Sequence, residues 1–225
     1  MPVHKLPLRE AVWLVFSKDL LCEFRNRYAI SALIMFALVT LSSISMTIGA
    51  VMLSDELTAV LLWIIIFFCA MAGLSRAFVQ EQEAGTLFTL QIYLQSQAVI
   101  FGKMLFNIVL LMGLTVFIIL LFILFLNVDF SLWKIFFVIL VCGDIGIGAV
   151  ATLTAAMVAR AQGQHCLFTV LTFPILLPQF LGAIHATATV LGGNMPSVSQ
   201  FIFMAGYDAV IISGSYILFE YLWYD

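Results

Sequence analysis

Residues 76–103, RAFVQEQEAGTLFTLQIYLQSQAVIFGK, form the one long polar interruption in a chain otherwise built of apolar runs. The sequence on both sides reads as membrane helix, so this segment must meet water and whatever works there. Its first part, residues 76–83, continues the preceding run without a breaker. Gly85 then offers a helix stop, and Thr86 an N-cap for a new helix. Leu87, Leu90 and Leu94 recur at three-to-four-residue spacing and predict a short amphipathic helix of about two turns. Such a helix is either an interfacial anchor or a docking piece for a soluble partner.

The composition sets the solvent. The chain has 225 residues, 64% of them hydrophobic and 9% charged, where a soluble domain carries roughly 25% charge. This is an all-α integral membrane protein, read as a single transmembrane domain over 1–225 with a segment at 1–29 and another at 79–101 outside the bilayer. Six continuous runs, at 30–52, 58–78, 102–126, 133–158, 166–191 and 200–219, each approach or exceed the ~20 residues that cross the hydrocarbon core. They do not alternate, which excludes a β-barrel. The first run is long enough to stay as a span and is not a signal peptide.

Charge placement gives orientation. Lys5, Arg9, Lys18, Arg25, Arg27, Arg76, Lys103 and Arg160 fall on one side of the six runs and only Lys134 on the other. By the positive-inside rule both termini and the 76–103 stretch are cytoplasmic. Within residues 1–29, Val12, Phe16, Leu20 and Phe24 are spaced by four and predict a basic amphipathic helix lying in the headgroup plane. Cys22, Cys69, Cys142 and Cys166 are far apart and encode no zinc site, redox pair or haem-attachment motif.

The order of parts around the opening stretch is span, Glu81 and Glu83, Gly85-Thr86-Leu87, short helix, Gly102-Lys103, span. With Arg76 and Phe78, this order resembles the permease subunits of type-2 ABC exporters, and among them CcmB, the haem exporter protein B family of cytochrome c maturation. The length, the six spans, the basic N-terminal segment and the Pro174…Pro178 spacing belong to the same resemblance. It departs at Phe88, where the family carries Glu, and at Gln95-Ser96-Gln97, where the family has a Pro-containing linker. The resemblance implies an N-terminal elbow helix and a cytoplasmic coupling helix that receives a partner ATPase at Glu81, Glu83, Gly85, Thr86, Leu87 and Leu90. It also implies an ABC ATPase subunit (CcmA-like), a second permease copy, a haem-handling membrane protein (CcmC-like) and a haem chaperone (CcmE-like). Haem would be cargo, and the location a bacterial inner membrane.

Polar residues inside the spans are the other candidates. Asp144, within Cys-Gly-Asp-Ile-Gly-Ile-Gly, and Asp208 must face protein or a cavity, because a midplane carboxylate costs roughly 2.5–3.5 kcal/mol on insertion scales. They could share one polar interior. Gly143, Gly146 and Gly148 would let neighbouring helices approach closely. His185 is either an axial haem ligand or a polar residue near the bilayer edge. Pro174 and Pro178 lie on one face of the fifth span and are hinge candidates. Trp63 is the tryptophan expected deepest, the others forming an aromatic belt.

The chain has no GxxxxGK[ST] phosphate loop and no HExxH, so any energy must come from a partner or from ions. It is read as a transporter subunit, not an enzyme, with no metal site, no bound cofactor and no nucleic-acid partner, surrounded by membrane lipids. Two alternatives stand beside haem export. One is an ABC exporter permease for lipid, glycan or drug. The other is an intramembrane aspartyl protease using Asp144 and Asp208, against which Val141 replaces the first glycine of Gly-x-Gly-Asp and the Tyr-Asp pair comes late.

Overall fold

The computed structural model describes residues 7–25, 27–49, 53–75, 78, 81, 85, 90, 93–128, 132–160 and 165–224. These residues hold α1 (Leu8–Arg25), α2 (Arg27–Ile48), α3 (Asp55–Leu74), α4 (Ser96–Leu126), α5 (Trp133–Arg160), α6 (His165–Leu191) and α7 (Val198–Tyr224). The helices α2 to α7 each contain a stretch long and apolar enough to cross a membrane. The protein is therefore a multi-pass membrane protein of six spans preceded by one further helix.

Local chemistry sets the helix ends. The Ser54 hydroxyl caps α3 by accepting the Leu57 N–H at 3.3 Å, and Asp55 and Glu56 in the first turn suit the positive end of the helix dipole. Asn127, at φ 49°, ends α4 in the left-handed region. Gly193, at φ 75°, ends α6. There Asn194 N donates to Thr189 O and Gly193 N to Val190 O, both at 3.0 Å, satisfying two carbonyls the helix would otherwise leave bare.

Several boundaries move from the sequence expectation, among them the start of α2 at Arg27 instead of 30 and the end of α7 at Tyr224 instead of 219. The α3 helix starts at Asp55 instead of 58 and ends at Leu74, with Ser75 as its C-cap. The expected continuation through 76–83 lies largely outside the described residues. The α4 helix starts at Ser96, not 102, so the polar Ser96 and Gln97 are its first turn and not a linker. Burial explains the early start: Ser96, Ala98, Val99 and Ile100 are all enclosed by protein. With 31 residues α4 is about 46 Å long, against a hydrocarbon core of about 30 Å.

At the centre stands α5, flanked by α3, α4, α6 and α7. Its glycines make this possible, each on a different side. A Cβ on Gly143 would collide with the Trp63 indole of α3, one on Gly148 would lie 2.7 Å from Ile108 of α4, and one on Gly146 would lie 2.6 Å from Asp208 of α7. Trp63 is wholly buried and donates its indole N–H to the Thr187 hydroxyl of α6 at 2.9 Å. The outer helix α2 leans on α3 and α4, with the Ser45 hydroxyl donating to Phe125 O at 2.9 Å.

The first helix does not follow the expected stripe. Ala11, Val15 and Phe16 are its buried residues, and Phe24 is 64% exposed. The α1 helix packs along the start of α4. Gly102 admits it: a Cβ there would sit 2.7 Å from Val15 Cβ and 3.0 Å from Val12 O.

Candidate functional site

Two polar clusters stand out, one at the end of the bundle where α4 begins and one in its middle. The first starts from Lys103, two turns into α4 and 1% exposed. A buried ammonium needs a partner, and among the described residues Lys103 Nζ lies 3.2 Å from Asp19 Oδ2 of α1 and 3.1 Å from Glu81 Oε1. Lys18 joins from α1, 3.0 Å from Asp19 Oδ1 and in a short contact with Glu81 Oε1. Among the described residues, two ammonium groups and two carboxylates thus meet as a quartet. Burial alone would pull the Lys18 pKa down, but Asp19 and Glu81 outweigh it and hold it above the ordinary lysine value.

The quartet ties more than the three segments that supply its charges. The Phe78 ring lies under Lys103 Nζ, 4.9 Å from its centroid, a cation–π contact in a dry site. Phe78 also packs on Phe219 of α7 at 5.7 Å, and Phe219 on Trp223 at 5.2 Å. Nearby, Gln97 donates to the Tyr216 hydroxyl at 2.7 Å. The chain following α3, the first helix, the start of α4 and the end of α7 therefore meet at one junction.

Of the residues the sequence assigned to the coupling segment, Glu81, Gly85 and Leu90 are described, while Glu83, Thr86 and Leu87 lie outside the described residues. Glu81 is buried in the quartet. Gly85 takes φ 67°, the left-handed conformation that a glycine helix stop uses. Leu94 N donates to Leu90 O at 2.9 Å, one helical turn.

The second cluster is at mid-bundle. Asp144 is buried and accepts from the Thr115 hydroxyl of α4 at 3.0 Å. Asp208 is buried beside Gly146 and Gln179. Residues 144 and 146 point to opposite sides of a helix, so the two aspartates face away from each other across α5. They do not share one interior, and the paired geometry of an aspartyl protease is not formed. Gln179 donates to Cys142 O at 3.1 Å, and the Tyr207 hydroxyl to Ile175 O. His185 is exposed on α6. Pro174 and Pro178 both lie inside α6, which runs through them as one helix, and both are exposed.

Sequence reasoning missed Lys18, Asp19 and Gln179 and took Lys103 only as a marker of the span's start. A lone lysine inside VIFGKMLF was the available signal, since a buried ammonium demands a carboxylate. Which carboxylates the two lysines meet is fixed by packing between distant residues: Lys18 and Glu81 are 63 positions apart and Lys103 and Asp19 are 84 apart. Comparison with known proteins gives one finding beside this geometry: a family model described as CcmB protein matches residues 10–216, nearly the whole chain. No curated protein matches it.

Proposed function

Because the chain belongs to the CcmB family, the membrane subunit of a haem exporter in cytochrome c maturation, we propose that it turns ATP hydrolysis by a partner subunit into movement through the Lys18–Asp19–Glu81–Lys103 junction. The observation that carries this reading is the quartet itself. It binds Glu81, in the segment that the sequence assigns to a docking partner, to the helix that precedes the spans and to the root of α4. A push on that segment cannot move Glu81 alone without stranding a buried lysine, so α1 and α4 move with it. The partner is a CcmA-like ATPase docking on the cytoplasmic face of a bacterial inner membrane, with both termini on that face. A second permease copy, a CcmC-like membrane protein and a CcmE-like haem chaperone complete the assembly.

Of two ways to use the movement, release of haem-loaded chaperone fits the interior better than passage of haem through the middle of this subunit. Asn107 Oδ1, Gln179 Oε1 and Asp208 Oδ1 are buried without a donor. All are acceptors, whereas haem propionates need donors. The test is a haem stain of membranes from cells whose own copy is replaced by variants. Glu81→Gln should insert normally and bind the ATPase yet lose most covalent haem bands. Gly85→Pro should cut co-purification of the ATPase, since proline cannot reach φ 67°. Wild-type haem bands in both Glu81→Gln and Lys103→Met would sink the coupling role of the junction.

A further inference from the structure

At Asp208 the interior contains a carboxylate that no described lysine, arginine or histidine neutralises. Asp208 is 6% exposed and Gln179 1% exposed, and each has one oxygen, Oδ1 and Oε1 respectively, with no hydrogen-bond donor. The two side chains meet over Gly146, where a Cβ would lie 2.6 Å from Asp208 Oδ1 and 2.9 Å from Gln179 Nε2. Because Gln179 Nε2 is held by Cys142 O at 3.1 Å, its oxygen is the end left over. Asp208 is ten residues into α7 from Val198 and Gln179 twelve from the end of α6, about 15–18 Å of rise, half the thickness of the hydrocarbon core.

The surroundings are specific. From α5 the titratable group near Asp208 is the Cys142 thiol, and on α7 itself the Tyr207 hydroxyl, which donates elsewhere, to Ile175 O. From α6 only Gln179 faces it, His185 being exposed toward the far end. Asp144 is turned to Thr115 on the other side of α5. The α4 helix meets α7 around Gln97, Phe101 and Tyr216, two turns or more away along α7. Among the described residues no lysine, arginine or histidine pairs with Asp208.

We propose that Asp208 and Gln179 form a midplane binding site for one small monovalent cation, a proton or an alkali-metal ion. One positive charge cancels the carboxylate and gives both orphan oxygens a partner, which a buried anion in hydrocarbon requires. An anion is excluded by the same groups. Gly146 is the residue that leaves room, and the cation cements α5, α6 and α7 where they converge. Occupancy therefore sets how tightly these three helices pack, whether or not the junction at the other cluster transmits ATP-driven movement.

The test uses the full chain in nanodiscs and follows its thermal unfolding. For a proton, Tm at constant sodium falls between pH 5.5 and 8.5 by about 3–5 °C per ten-fold change in proton activity beyond the dissociation constant. For an alkali ion, Tm at constant pH rises by the same amount per ten-fold sodium or potassium against choline. Asp208→Asn keeps the size, removes the charge and abolishes the alkali-ion response, and in the proton arm it removes the Asp208 share of the fall, leaving only the share of the buried Asp144 carboxyl. If Asp208→Asn fails to fold, Gln179→Met decides, since loss of the second acceptor should raise the midpoint cation activity about ten-fold. A wild-type Tm flat against both cations, an unchanged response in Asp208→Asn, or an unmoved midpoint in Gln179→Met would overturn the site.

Discussion

Lys103 shows how much a single side chain organises. Its ammonium is 1% exposed and touches carboxylates from two separate parts of the chain. Removing one partner of a buried ion pair costs about 3–5 kcal/mol, because the survivor stays buried and uncompensated. Lys103→Met should therefore lower Tm measurably in detergent or nanodiscs and make α1 sensitive to limited proteolysis, whereas Glu10→Gln, outside the quartet, should change neither. Lys18 gives a pH signature. Its folded pKa is raised above 10.5, so its contribution is complete below the unfolded value and fades as pH climbs through the folded one. Wild type and Lys18→Gln should differ in Tm at pH 8 and converge in the strongly alkaline range. At this scale the sequence was half legible. A lysine within an apolar run announces that it needs an anion, but the choice of Asp19 and Glu81 is made by three elements coming together.

Among the elements, α5 was the most readable and α1 the least. The Gly143, Gly146 and Gly148 spacing predicts close approach, and each glycine receives a different neighbour. Gly143→Ala would push its new methyl into Trp63, which cannot swing away freely while its N–H is held by Thr187. Overpacking of this kind costs about 1–3 kcal/mol. A double-mutant cycle of Gly143→Ala with Trp63→Leu should therefore show strong coupling, the second change relieving the first. The α1 stripe does not by itself tell which side meets protein, for a physical reason. In water apolar residues mark the buried face, but beside a bilayer the lipid-facing side is equally apolar. Phe24 is exposed, while Ala11 and Val15 are buried against protein, where Gly102 lets Val15 come close.

For the molecule as a whole, span number and helical class follow from composition and run length, since a bilayer admits few alternatives. Which helix takes the centre does not, because every span is apolar and only contact surfaces rank them. The large apolar residues exposed on α2 and α7, such as Met46 at 87% and Val210 at 69%, are ordinary for a surface bathed in lipid tails. At this scale the decisive outcome is cellular. A strain lacking the chain should lose covalent haem bands, a wild-type copy should restore them, and Asp144→Asn should restore them too if that carboxyl only packs against Thr115.

The quartet has a consequence for how the protein is made. Lys18, Asp19 and Glu81 leave the ribosome before Lys103, so of these four groups an unfinished chain holds two carboxylates against one lysine. The missing positive charge arrives near the start of α4, buried in protein, where an ammonium without its carboxylates is costly. Its partners are by then already synthesised, so the fourth charge both completes the set and eases its own entry. Assembly of the first helix onto the bundle thus waits for α4, and a nascent chain halted after α3 would carry α1 undocked.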